Sequence, residues 1–439
     1  MLGRMPTHHE PAQSLPVVEE IDVLVAGGGP AGVAAAIAAA RQGASVRLIE
    51  QNGCLGGIWT AGLLCWILDE RNKGGLMREL VDELHRRGAT WPVRQAACAY
   101  DPEAMKLLLE ERCLTAGVRV RLHTRVSAAT RDAAGRLAVV ITDSKSGREA
   151  WAPRCCIDAS GDGDLPAQAG CGFALGRESD GLVQPMSLMC LIAGPRAEEI
   201  PQYMHDGSLP HGVDKANFLA LLRANGHDPS HGSPAIFPIA AGIYALMYNH
   251  EYGTSALDAQ ALSDATIHAR AEAHRTVAAL RAAGGPWAVT RIIVTAEHIG
   301  VREARRIRGR HAVAIDDLTA GVRHPDPICR ATFNLDVHAL KDGANRAFEP
   351  VNETKVKPYD IPLRALLAAD CDGLLLAGRC ISGDFLAHSS YRITGNAAVM
   401  GEAAGVCAAI AAHSGRLPHQ VAWDELAAVM PAVAALRGT

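Results

Sequence analysis

The stretch Val23-Leu-Val-Ala-Gly27-Gly28-Gly29-Pro30-Ala31-Gly32 constrains this chain more than any other. An apolar run with strand composition meets the pattern Gly27-x-Gly29-x-x-Gly32, and an alanine-rich segment follows. That order predicts a buried strand over 21–26, a glycine turn and a helix over 30–42 closed by Gly43. The first glycine allows the tight turn, the second lets backbone approach a pyrophosphate, and the third lets helix pack closely on strand. Pro30 at the first helical position leaves free N–H groups and the positive dipole end facing the turn. A second strand, Ser45-Val-Arg-Leu-Ile-Glu50, ends in an acid 18 residues beyond Gly32, where a carboxylate can accept from a ribose 2′-OH. The unit predicts a dinucleotide site.

A chain of 439 residues is too long for one small core, so two domains are expected. The net charge of −4 without a dense basic run argues against nucleic acid as a partner. No uninterrupted apolar run approaches the ~20 residues of a membrane span. Residues 1–18, with His8, His9, Pro6, Pro11 and Pro16, lack the charged leader and apolar core of a secretory signal, and 1–20 reads as a flexible arm. The twelve cysteines are scattered with no C-x-x-C pair, and adjacent Cys155 and Cys156 read as small core residues. Neither H-E-x-x-H nor zinc-type Cys/His spacing is present, so no metal is expected. These features point to a reduced, cytoplasmic protein acting on a small molecule; they leave a homo-oligomer open.

Along the chain, Gly53-Cys-Leu-Gly-Gly57 follows the acid, and a Gly-Gly pair there suits backbone crowding something flat or charged. Amphipathic spacing predicts a helix from Gly74 to Arg87, and Asp101-Pro102 opens another that ends at Gly117. A strand at 118–123 leads to a meander, 136–142 and 149–154, with its turn at Ser144-Lys-Ser-Gly147. The meander enters Cys155-Cys-Ile-Asp158-Ala-Ser160-Gly161-Asp162-Gly163-Asp164, a second glycine turn at a strand's end. From about 170 to 345 proline, histidine and aromatic residues rise. A long helix is expected over Ala256–Ala283, burying Leu257, Ala261, Ile267, Val277 and Leu280. A strand over Ile292–Ala296 and a basic turn and helix over Glu297–Arg310 follow. The first texture returns near Pro358, with a buried strand at Gly373–Arg379 and a small-residue helix from Thr394; the tail after Pro418 reads as one peripheral helix. The expected fold class is α/β: a Rossmann-type dinucleotide domain with a β-meander, 21–170 and 345–439, interrupted by an inserted α+β substrate domain, 171–344.

Seven segments in order resemble the FAD-dependent oxidoreductases related to fumarate reductase and to thiazole-forming enzymes. They are Gly27–Gly32 with Glu50, Gly53–Gly57 with Thr60-Ala-Gly62, Asp158–Asp164, Ile299-Gly-Val-Arg302-Glu-Ala-Arg-Arg306, Tyr359-Asp-Ile-Pro-Leu-Arg364, Leu376-Ala-Gly-Arg379-Cys-Ile-Ser382 and Gly395–Gly405. The resemblance spans 21–413 and implies an extended FAD whose isoalloxazine lies between the two domains. It implies that Gly27, Gly29, Pro30, Ala31 and Gly32 hold the pyrophosphate and that Glu50, with Gln51 beside it, holds the adenosine ribose. By the same likeness Gly56 and Gly57 border the cofactor, Ile58 and Trp59 approach the ring, and the Val126 backbone meets the adenine. Ser160, Gly161, Asp162, Gly378, Arg379, Gly395, Asn396, Ala397 and Met400 complete the wall. Cys54 departs from the large apolar residue expected in its loop, and leaves covalent flavin attachment open there.

Neighbouring chemistries are set aside by missing motifs. A disulfide reductase would place cysteines where Trp59 and Leu64 stand, and would carry a second G-x-G-x-x-G for a nicotinamide cofactor. No two of the six tryptophans have halogenase spacing, Ile58 replaces the arginine of amine oxidases, and no cysteines cluster for iron–sulfur. What remains is a hydride-transferring oxidoreductase with an unknown electron donor or acceptor. A flavin monooxygenase, or an FAD-binding subunit without turnover of its own, are the alternatives. The segment Asp384–Thr394, expected as a loop feeding the cofactor helix, supplies the catalytic candidates. His388 suits proton transfer near neutral pH, Arg392 suits a carboxylate or developing negative charge, and Tyr391 suits a hydrogen bond to substrate or flavin. Arg302 is the candidate substrate anchor, while Arg305 and Arg306 read as a solvated or salt-bridged helix face.

Overall fold

The apolar run before Gly27 forms the middle of a seven-stranded, largely parallel sheet, with Val23, Leu24 and Val25 fully buried. A computed structural model of the chain describes residues 8–93, 97–343 and 346–438. The sheet's strands are β1 (Val17–Ala26), β2 (Val46–Ile49), β3 (Arg119–Arg121), β4 (Arg125–Arg131), β5 (Leu137–Ser144) and β6 (Gly147–Asp158), in the order β3-β2-β1-β6-β5-β4. Strand Leu374–Leu376 lies parallel to the C-terminal end of β6. The register puts Ala26 level with Ile49 and with Asp158, and Asp158 level with Leu376. Four chain segments therefore leave the sheet side by side at its C-terminal edge, where α/β sheets bind ligands.

β1 starts at Val17 rather than 21, so 17–20 belong to the sheet. Val17 pairs with Ala150, and Glu19 is neutralised by Arg47 at 2.7 Å and by Arg119. Residues 1–7 of the expected arm, and the expected boundary at 344/345, lie outside the described residues. Asp101 caps the helix Pro102–Thr115 as its sequence predicts, Oδ1 accepting from the Glu103 N–H at 2.8 Å.

A second, antiparallel sheet comprises β7 (Cys190–Ala193), β8 (Ala235–Ala240), β9 (Ile243–Met247) and β10 (Arg291–Thr295), ordered β8-β9-β7-β10. It shares a hydrophobic cluster with the long helix Ala259–Ala283, through Val277, Leu280, Phe218 and Trp287. Leu257 and Ile267, expected inside, are 37 % and 64 % exposed. The helix expected within Glu297–Arg310 does not form, because its backbone bonds to distant segments instead. Gly300 N donates to Ser187 O at 2.7 Å, Ile307 N to Cys380 O at 3.0 Å and Arg308 N to Gly172 O at 2.9 Å. Arg306 is buried, ion-paired to Glu303 and Glu178, rather than on a helix face.

The first helix, α1 (Pro30–Arg41), crosses a helix near the end of the chain, Thr394–Ser414, at very short range. Cβ atoms added at Gly401 and Gly405 would fall inside the van der Waals radii of the Ala31 and Ala35 carbonyl oxygens. Thr394–Ser414 is long and apolar enough to cross a membrane by length and composition, which the sequence reading overlooked; 89 % of its apolar window is buried within the protein. The segment before it, expected as a loop, contains the helix Phe385–Tyr391, capped by Asp384 Oδ1 on the Ala387 N–H at 2.7 Å. The tail folds as two short helices, Trp423–Val429 and Pro431–Ala434, because Pro431 cannot continue the first.

Candidate active site

One elongated cavity of about 1560 Å³, open mouth included, runs along the C-terminal edge of the main sheet to the second sheet. At one end lie Glu50, Gln51 and Val126; Gly27, Gly29, Pro30 and Ala31 form its middle, facing Ser160, Gly161, Gly378 and Arg379. Gly57, Ile58 and Ala397 also line it. No side chain caps α1, so the unsatisfied N–H end of the helix opens into the cavity beside Gly29.

Glu50 is fixed rather than free. Its Oε2 accepts from the Gly28 N–H at 2.7 Å, and its Oε1 from Asn52 N at 2.7 Å and Nδ2 at 2.8 Å. Arg379 Nη2 donates to Asp162 Oδ1 at 2.8 Å, while its Nη1 is buried with no hydrogen-bond partner among the described residues. A Cβ at Gly29 would meet no atom within 4 Å, whereas one at Gly57 would sit 3.0 Å from the Gly29 Cα. Gly29 thus faces open space, and Gly57 gives the cavity its width.

Several expected residues stand behind the wall rather than on it. Gly32 packs α1 onto the Gly27 carbonyl, and Gly56, left-handed at φ 107°, donates from its N–H to Gly28 O at 2.8 Å. Gly395 packs against the backbone of Leu68 and Asp69, and Asn396 and Met400 are fully buried. Trp59 is also fully buried in the core, its carbonyl accepting from Tyr100 Oη at 2.9 Å, so its indole does not line the cavity. Cys54 Sγ contacts Thr60 Oγ1 at 3.7 Å and is likewise off the wall.

The catalytic candidates separate. Arg302 and Arg392 line the far end of the cavity, together with Ser187, Met189 and Met247, whereas His298 lines it within reach of the Asp162, Arg379 and Glu50 charges. Ser187, Met189 and Met247 come from the ends of β7 and β9, Arg302 from the extended segment after β10, and Arg392 from the C-terminal end of the helix Phe385–Tyr391. His388 and Tyr391 do not line it. Tyr391 Oη donates to Ile381 O at 3.1 Å, locking the helix Phe385–Tyr391 internally. His388 is fully buried, and neither ring nitrogen makes a well-formed hydrogen bond. Burial, then the charges of Arg306, Arg392 and Arg379, hold its pKa well below the usual value, so it is a neutral core imidazole.

Arg392 instead leads into a buried polar chain. Its Nη2 donates to the Asp336 main-chain oxygen at 2.9 Å and to Oδ2 at 2.7 Å. Asp336 Oδ2 lies 3.4 Å from His338 Nε2, His338 Nδ1 lies 3.0 Å from His250 Nε2, and His250 Nδ1 lies 3.2 Å from Tyr252 Oη. Burial and the Arg302 charge push His338 down to about 4. Burial alone would raise Asp336, but His338, Arg392 and Arg302 outweigh it and keep the carboxylate ionised. Arg302 Nη1 donates to Pro185 O at 2.7 Å and Ser187 Oγ at 2.9 Å; burial and then Arg392 lower its pKa to about 9. Asp336 and His338 escaped the sequence reading. The one signal for them is the Asp-x-His spacing, which puts both side chains on one side of an extended segment.

The family model for FAD-dependent oxidoreductases matches residues 22–430. The chain belongs to that family. It is an FAD-dependent oxidoreductase, and FAD is its cofactor. The residues present fit FAD: an open glycine face at an uncapped helix end, an unpartnered Arg379 nitrogen beside it, and a fixed acid on the strand next door. No curated protein sequence matches this oxidoreductase. Among solved structures, p-nitrophenol 4-monooxygenase PnpA from Pseudomonas putida DLL-E4 aligns over 93 % of this chain and 83 % of its own, with 11 % identity and a TM-score of 0.51. A geranylgeranyl bacteriochlorophyll reductase-like protein from Thermoplasma acidophilum aligns over 90 % of this chain and 80 % of its own, at 14 % identity and a TM-score of 0.48. THI4 from Thermovibrio ammonificans covers 36 % of this chain and 67 % of its own, at 19 % identity and a TM-score of 0.30. At these identities the likeness to PnpA concerns the fold alone.

Proposed function

We propose that this oxidoreductase acts on a small carboxylate, oxidising or reducing it at carbon. Bound FAD supplies the electron chemistry, giving or taking a hydride at the substrate carbon. The observation that carries the reading is the charge at the far end of the cavity. Two partly buried guanidiniums, Arg302 and Arg392, stand there, with Asp336 as the carboxylate paired to Arg392. A partly buried excess of positive charge is stabilised by an anionic ligand, and a guanidinium fork suits a carboxylate. Ser187, held between Arg302 and the Asn249 main-chain oxygen at 2.6 Å, fixes the direction of the Arg302 donor. Met189 and Met247 supply the apolar wall that excludes water around the reacting carbon. The Asp336–His338–His250 chain keeps Arg392 in place and links the site to Tyr252.

In this reading Gly27, Gly29, Pro30 and Ala31 take the pyrophosphate, Glu50 and Gln51 the ribose, and Val126 the adenine. Residues 171–344 serve as the substrate-binding part. The kinship with fumarate reductase-type enzymes, and a cytoplasmic setting for the cysteine thiols, belong to the same proposal.

The test is anaerobic. FAD-loaded enzyme is mixed with a panel of 2-hydroxy, 2-amino and saturated or unsaturated carboxylates, each beside its amide, while the flavin absorbance is followed. Photoreduced enzyme is mixed with the same panel. Bleaching or recolouring by a carboxylate and not by its amide is expected, with loss of the response in Arg302→Ala. Equal reaction of acid and amide would overturn the carboxylate reading. A monooxygenase is the second reading, prompted by the fold shared with PnpA; it requires NAD(P)H oxidation coupled to oxygen and to hydroxylated product.

A further inference from the structure

Away from the flavin cavity, the segment 311–324 folds back on itself. Val313 pairs with Gly383, the chain turns through the short helix Ile315–Ala320, and left-handed Gly321 at φ 71° returns it towards its start. The reversal brings His324 onto His311, with ring centroids 4.8 Å apart and planes at 72°. One nitrogen of each ring and one carboxylate oxygen of Asp317 all lie within 4.8 Å of one another. His311 Nε2 is 3.8 Å from Asp317 Oδ2.

Two further observations point to a ligand. The Nε2 atoms of both His311 and His324 are shielded from solvent and have no hydrogen-bond partner among the described residues. Buried polar atoms are rarely left so, and a pair of them facing one carboxylate calls for a shared acceptor of lone pairs. Asp317, moreover, is held in place. Its Oδ2 accepts from the Ala314 N–H at 2.9 Å, and its main-chain oxygen from the Gly321 and Val322 N–H groups, both at 2.9 Å. The local charge is favourable. Arg364, whose charge acts on His311, is already bound through Nε to both oxygens of Asp326, at 3.2 and 3.1 Å.

A second histidine cluster, His231, His250 and His338, shows what such a site is not. His231 and His250 stack at 3.9 Å with planes 26° apart, so their in-plane lone pairs run side by side instead of converging. Arg302 and Lys215 bear on His231 as positive charges that oppose a dication. The two clusters differ in geometry.

We propose that His311, Asp317 and His324 bind a divalent first-row transition metal, Zn²⁺ being the ion this donor set suits, with water as the fourth ligand. The His311 and Asp317 side chains are 25 % and 17 % exposed, so the cluster lies near the protein surface. The ion ties the two ends of the hairpin. That hairpin in turn grips Asp384, whose Oδ2 accepts from the Ile315 N–H at 2.6 Å and whose Oδ1 caps the helix leading to Arg392. The metal is a structural brace behind the site wall, in a position no cavity-lining residue shares.

The test uses full-length FAD-loaded protein, dialysed against chelator and then titrated calorimetrically with Zn²⁺. One Zn²⁺ per chain is expected, with thermal stabilisation on binding. Binding should weaken by at least about tenfold in His324→Asn and further in the His311→Asn, His324→Asn double variant, with flavin absorbance and circular dichroism unchanged. The proposal is overturned if the native protein binds no Zn²⁺, if native and double variant bind it equally, or if His231→Asn and not His324→Asn removes the site.

Discussion

Arg392 is tied to Asp336 twice through one nitrogen, Nη2 reaching the main-chain oxygen at 2.9 Å and the carboxylate at 2.7 Å. The double contact aims the guanidinium along the cavity wall and leaves its Nε buried and unpaired. Lysine keeps the charge but not the fork. Arg392→Lys should therefore weaken carboxylate binding by about 10- to 100-fold, in line with ~1.5–3 kcal/mol for a hydrogen bond to a charged group. The Kd for a carboxylate, read from its perturbation of the flavin spectrum, checks this; an unchanged Kd would remove Arg392 from the substrate end.

Glu50 organises the turn as well as facing the ligand, since Gly28 and Asn52 both donate to it. Glu50→Ala should raise the FAD dissociation constant by at least about tenfold and lower the melting temperature of the apoprotein, because three N–H groups lose their acceptor. Fluorescence titration of apoprotein with FAD, beside a thermal melt, separates the two effects.

The glycines of the helix crossing and of the turn should part company. A Cβ at Gly401 would overlap the Ala31 carbonyl, so Gly401→Ala should cost about 1–3 kcal/mol by forcing the helices apart. A Cβ at Gly29 meets no atom within 4 Å and its φ of −71° suits alanine, so Gly29→Ala should leave apoprotein stability within about 0.5 kcal/mol. Its loss should appear in FAD affinity alone. Denaturant melts of both variants, with and without FAD, decide the matter.

Asp158 ends β6 with a fully buried carboxyl whose pKa burial raises to about 7, the Asp164 charge adding to the effect. Below about pH 4 it is protonated in both folded and unfolded chain. As pH rises the unfolded chain ionises first, so this residue makes stability fall between about pH 4 and pH 7 and then level off. The total is of order 4 kcal/mol. Asp158→Asn should flatten that part of the pH–stability curve and stabilise the apoprotein at pH 8. An unaltered curve would show that the carboxyl ionises in the fold without penalty.

Much of the main sheet was legible because its cues are local. Alternating and apolar runs, glycine stops and the Asp101 cap act within a few residues, and the strands and helices they predict are present. The failures share a cause. Glu297–Arg310 has helical composition, but its N–H groups find partners on Ser187, Cys380 and Gly172, all more than 70 residues away. The proximity of His388 to the cofactor helix suggested an acid–base role; the rotation of its own helix turned the ring into the core.

The sequence by itself determined a glycine turn between a buried strand and a small-residue helix, an acid on the next strand, and with them a nucleotide-binding edge. Those follow from backbone sterics and spacing, which need no distant partner. Only the tertiary structure decided what stands at the other end of the cavity. Arg302, Arg392 and Asp336 come from three separated segments, and no local rule relates them. Packing at the cavity wall, partly out of water, is what sets two guanidiniums and a carboxylate within reach of one another.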